Sequence, residues 1–178
     1  MIETTPEFSR IVAADRLPPS GFEQTIEANE KERAALARRF NLTELPFLQA
    51  ELTLTPHRDR SVRVTGKILA DIMQACVVTL DPLPGHFDLD VDVTFIPADA
   101  AADDDAEAPG EMEDELDHFS NGKIDIGEMT AQYLGVNLDP YPRKPDAALP
   151  ATEFGPAVSK VQPFAQLAEL ARNKKNSD

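Results

Sequence analysis

The chain of 178 residues carries 32 acidic against 17 basic side chains, and its formal charge of −15 argues against a simple cationic nucleic-acid or membrane binder. At 42% hydrophobic and 28% charged, the composition is globular and long enough to bury one core, which excludes a wholly disordered chain. Apolar runs stop at four residues where a bilayer span needs about 20, residues 3–7 lack the character of a signal peptide, and the single cysteine, Cys76, excludes an intramolecular disulfide and a thiolate-pair zinc site. The expected location is the cytoplasm.

In chain order, strand signals come first, at residues 8–13 and 22–27. Asn29 followed by Glu32 reads as a capping box, and residues 30–40 are rich in helix formers, with Leu36 and Phe40 one turn apart. From Leu48 the chain alternates: Leu48, Ala50, Leu52 and Leu54 against Gln49, Glu51, Thr53 and Thr55, then after the turn at 56–59 Val62, Val64, Gly66 and Ile68 against Ser61, Arg63, Thr65 and Lys67. A second hairpin is expected from a strand at 74–80, a turn at 81–85 and a strand in which Phe87, Leu89, Val91, Val93 and Phe95 alternate with Asp88, Asp90, Asp92 and Thr94. This pattern assigns Leu52, Leu54, Val62, Val64, Ile68, Leu89, Val91 and Val93 to the buried face.

Ten of the acidic residues and none of the basic ones lie between Asp99 and His118. Such a stretch buries too little apolar surface to offset the entropy of ordering, so residues 99–118 are expected to form a mobile acidic loop. Asp125 with Glu128 repeats the capping signature, opening a helix with Ile126, Met129 and Tyr133 on one face and Gly135 as its expected stop. Pro140, Pro142, Pro145, Pro150 and Pro156 then keep the chain extended, and a short last helix is expected at 163–172. No internal repeat is present. The expected architecture is α+β: an antiparallel sheet with hairpins across 48–96, N-terminal strands, and two to three flanking helices. Residues 1–140 are expected as one domain containing the acidic loop, and residues 141–178 as a proline-rich extended segment with the terminal helix.

Chemistry is sparse. His57, His86 and His118 are dispersed over turns and loops without the spacing of paired ligands. No glycine-rich phosphate cradle and no serine elbow is present, so no cofactor is expected. Cys76 reads as a buried inert thiol in an apolar strand. Asp88, Asp90 and Asp92 share one strand face and are the most enzyme-like feature, since a row of carboxylates about 7 Å apart can hold a divalent cation for phosphodiester cleavage; a solvated outer face is the competing reading and the one favoured here. Asp103, Asp104 and Asp105 lack the spacing of a calcium loop. The densest cationic supply is Arg33, Arg38 and Arg39 on the first helix with Arg58, Arg60, Arg63 and Lys67 on the central hairpin, a candidate RNA or partner contact if helix and hairpin share a face. Lys31 belongs to the same helix. With 6% aromatic residues and no Trp, any RNA contact is expected to use backbone and shape.

The order strand, helix, strands, then Cys76-Val77-Val78-Thr79-Leu80-Asp81-Pro82, a strand ending Phe95-Ile96-Pro97, an acidic insert and Lys123-Ile124-Asp125-Ile126-Gly127-Glu128-Met129 resembles the bacterial YceD family, named for large ribosomal RNA subunit accumulation. Leu138-Asp139-Pro140-Tyr141-Pro142-Arg143-Lys144-Pro145 and Pro163-Phe164-Ala165-Gln166-Leu167 resemble its alphaproteobacterial members. Many members have a C-x-x-C where this chain has Cys76 and Thr79, further cysteines after the proline-rich stretch, and a glutamate where it has Gln132, so no metal role carries over. The resemblance implies a non-enzymatic factor that supports 23S rRNA accumulation or processing and large-subunit assembly. Its implied partner is 23S rRNA or a large-subunit assembly intermediate, directly or through a ribosomal protein, and neither a membrane nor DNA. An acidic adaptor for a basic protein and a metal-dependent nuclease are the alternatives.

Overall fold

The computed structural model describes residues 6–98 and 115–147. The elements, all within the unit Met1–Asp146, are β1 (Ile11–Ala13), a 3-10 turn (Ala14–Arg16), β2 (Phe22–Glu27), α1 (Glu30–Arg39), β3 (Glu44–Pro56), β4 (Val62–Ala75), β5 (Pro82–Pro97), β6 (Glu115–Phe119), β7 (Lys123–Asp125) and α2 (Ile126–Asn137). The fold is α+β. A five-stranded sheet runs in the order β2-β3-β4-β5-β6, antiparallel except for the parallel β5–β6 pair, and β1 pairs with β7 in a separate two-stranded sheet.

Alternation sets the register. Val62, Val64, Ile68 and Ala70 of β4 lie opposite Phe95, Val93, Leu89 and Phe87 of β5, so one face of the sheet is apolar along its length. Leu52, Leu54, Val62, Val64, Ile68, Val91 and Val93 are buried, and Leu89 packs half-buried against them. Leu36 and Ala37 of α1 and Met129, Ala131 and Leu134 of α2 join the same cluster, so both helices cover this inner face and leave the other to solvent.

Helix starts follow the capping signals. Asn29 Oδ1 accepts from the amides of Lys31 (3.0 Å) and Glu32 (3.1 Å), and the Glu32 carboxylate accepts from the Asn29 amide (2.8 Å), satisfying donors that a helix N-terminus leaves unpaired. Asp125 caps α2 through the amides of Gly127 and Glu128. It also accepts from Ser9 Oγ (2.6 Å) and the Arg10 amide (2.7 Å), which ties the N-terminal segment to the start of α2.

Three expectations are corrected. The strand expected at 74–80 does not exist as a separate element: Gln74 and Ala75 are the end of β4, which stays paired with β5 out to Ala75 and Pro82, and the chain reverses over 76–81, closed by the Leu80 amide on the Cys76 carbonyl (2.9 Å). Of the apolar run that suggested a strand, Cys76 is buried, whereas Val77 and Leu80 point outward, 49% and 78% exposed. Residues 115–118 are not loop but the body of β6, held by backbone pairing to β5 that their acidic composition does not reveal. Gly135 does not stop α2. It lies inside the helix where a Cβ would come within 2.7 Å of the Phe40 ring, so its role is close approach to α1's C-terminal end. Residues 99–114 and the expected helix at 163–172 lie outside the described residues.

Candidate contact surface

The seven cations singled out from the sequence fall in three places. On α1, Arg33 donates to the Ala28 carbonyl (2.6 Å). Arg39 is bidentate on Glu128 of α2 (2.7 and 2.9 Å), reaches Glu7 (3.1 Å) and lies over the Phe40 ring, so its charge is spent joining α1, α2 and the N-terminal segment. Glu128 first and Glu7 second stabilise its charged form. Arg38 is exposed and makes no ion pair among the described residues.

Arg63 and Lys67 point the other way, from the outer face of β4. Arg63 is bidentate on Asp92 (2.8 and 2.7 Å), which holds that carboxyl below its usual range. Lys67 lies 2.9 Å from Asp88 and 3.6 Å from Asp90, and the hydrogen bond to Asp88, then the nearby charges, raise its pKa. The row Asp88, Asp90 and Asp92 is therefore the anionic side of a cross-strand ladder, and no group of three potential metal ligands occurs among the described residues. Glu23, Glu27, Glu51 and Asp71 share this face by register, and His86 Nδ1 meets Asp71 at 2.7 Å. Carboxylates outnumber cations there, and helix and hairpin do not present one basic patch, because the helix packs on the opposite side of the sheet.

Arg58 and Arg60 lie on the β3–β4 turn. Asp59 Oδ1 accepts from the Ser61 hydroxyl (2.7 Å) and amide (3.1 Å), contacts that lower its pKa, and the Arg60 amide donates to His57 with Arg60 at φ 68°. The turn forms one wall of a cleft of about 850 Å³. Opposite it stand the Ala14–Arg16 turn and the β6–β7 turn, joined by the Ala14 amide on the Gly122 carbonyl (2.9 Å), and the end of β5 closes the third side through the Ala98 amide on Phe119 (2.9 Å).

Sequence reasoning missed the surroundings of Cys76. The residue is buried as expected, but in the β4–β5 reversal rather than a strand, and its neighbours are polar. The Thr79 hydroxyl and then the Lys144 and Thr79 amides stabilise the thiolate, pulling the thiol down to about 6. The segment after α2 is strapped to this corner: Val77 N to Pro142 O (2.9 Å), Gln74 Nε2 to Asp139 O (2.9 Å) and Lys144 Nζ to Asp81 Oδ2 (2.7 Å). The partners stand more than sixty residues apart, and no local spacing announces them.

An α+β domain with an acidic outer sheet face, a cleft beside a cationic turn and a strapped cysteine corner defines the class. The chain belongs to the family described as large ribosomal RNA subunit accumulation protein YceD, whose model matches residues 64–171. The match spans β4 to beyond α2 and includes Lys67 alone of the seven cations. No curated protein and no solved structure matches the chain. No helix among the described residues is long and apolar enough to cross a membrane.

Proposed function

We propose that the protein supports accumulation of 23S rRNA and assembly of the large ribosomal subunit by binding rather than catalysis. Family membership carries this reading. The pairing of Asp88, Asp90 and Asp92 with Lys67 and Arg63 supports the non-catalytic half, since carboxylates engaged by fixed cations are poor ligands for a divalent metal. RNA contact concentrates on the β3–β4 turn and the end of α1, where Arg58 and Arg38 are exposed, rather than on Arg39, Arg63 or Lys67. A strain lacking the gene should show fewer large than small subunits and unprocessed 23S rRNA. Normal large subunits in that strain would overturn the proposal.

A second reading is an adaptor for a basic partner such as a ribosomal protein, favoured by the excess of carboxylates on the outer sheet face. Replacing Glu23, Glu27 and Glu51 together by Gln should then weaken binding to a lysine-rich peptide, while Arg58→Ala leaves it unchanged.

A further inference from the structure

We propose that the cleft beside the β3–β4 turn receives one unpaired nucleotide of an RNA strand, its base against Pro56, Pro97 and Phe119 and its phosphate on Arg58 and His57. This deepens the rRNA reading above and rests on it.

Three observations favour that occupant. The size is right: about 850 Å³ lies within the range of pockets that enclose a small ligand, whereas a duplex needs a groove. The lining is divided, with apolar prolines and the nearly buried Phe119 as floor, the cationic turn as one wall for a phosphate, and Asn121 with the Asp15 carboxylate on the facing turns, groups that suit the polar edge of a base and not a phosphate. The walls are pre-shaped by the backbone hydrogen bonds from Ala14 to Gly122 and from Ala98 to Phe119, so little ordering is required on binding.

The charge of the whole molecule makes the inference sharper. A protein of net charge −15 repels a phosphate backbone offered without further contacts. RNA held here must therefore draw affinity from burying a base, with the cationic turn meeting only one or two phosphates. An unpaired nucleotide supplies both parts, whereas an acidic peptide supplies charge without a planar base.

The test uses the full chain and fluorescein-labelled single-stranded and duplex RNA of equal length, followed by anisotropy across a salt series. The single strand should bind at least tenfold tighter than the duplex. Its log K against log salt should have a slope no steeper than about −1.4, the value for two phosphate contacts on a single strand. Arg58→Ala should weaken binding about fivefold, and Ala98→Trp, which fills the cleft from an exposed position, should abolish it with thermal stability unchanged; Lys67→Ala, on the outer sheet face where Asp88 engages it, should have no effect. Equal binding of duplex and single strand, wild-type affinity in both cleft variants, or displacement of the RNA by polyglutamate at matched charge would each overturn the proposal. If wild-type protein binds no RNA while the deletion strain still lacks large subunits, the cleft proposal falls and the accumulation role stands.

Discussion

Gly66 shows how one side chain constrains the sheet. It sits on the inner face opposite Leu52 and Val91 with φ 153°, and a Cβ built there would lie 2.0 Å from the Glu51 carbonyl oxygen. Backbone, not a flexible side chain, is in the way, so Gly66→Ala should cost about 3 kcal/mol, read by chemical denaturation. Val91→Asp, at a position 3% exposed, should cost about 3 kcal/mol or more by burying an unpaired charge, again visible as a lowered unfolding midpoint. Cys76 makes a pH prediction. Its thiol titrates near 6 in the folded chain and near 9 when free, so between those values the unfolded chain binds more protons. The resulting stabilisation is present at pH 9 and is lost as pH falls through 6. Cys76→Ser should flatten the stability profile across that window, measured by denaturation at pH 5.5 and 8.5.

At the scale of elements, Asn29→Ala should cost about 1 kcal/mol, because the Oδ1 that accepts from the Lys31 and Glu32 amides is lost, while the backbone amide of residue 29 still donates to the Glu32 carboxylate that Arg10 grips (2.8 and 3.0 Å). Circular dichroism and thermal unfolding would register the loss. β2, α1, β3 and the start of α2 were legible because each rests on local chemistry: alternation, a cap, a run of helix formers. The limits of legibility are also physical. Val77, Val78 and Leu80 carry the composition of a strand, yet the hairpin register that places them in a reversal is fixed by the β4–β5 pairing. β6 reads as an acidic coil, and only the unpaired edge of β5 makes it a strand. The seven cations were visible as residues, but their usefulness was not, since the acids that engage Arg39, Arg63 and Lys67 come from other elements. Neutralising Arg38, Arg39, Arg60 and Arg63 together would therefore confound loss of contact with the release of Glu128 and Asp92; Arg38 and Arg58 are the informative pair.

For the molecule as a whole, the parallel pairing of β5 and β6 gives the acidic insert a second duty. Val93 stands beside Glu115 and Pro97 beside Phe119, so β6 begins about 13 Å back along β5 from the point at which the chain leaves that strand. A parallel neighbour needs a connection of about a dozen residues or more, and residues 98–114 are the chain available for it. Their length is thus a topological requirement, whereas their charge is not. Replacing the acidic residues of 99–114 by Ser and Gln at constant length should leave thermal unfolding and slow amide exchange in β6 intact. Cutting the same segment to about five residues should detach β6, expose Phe119 and quicken exchange from Leu116 to Phe119. Any experiment on the role of the acidic charge must therefore change its chemistry and keep its span.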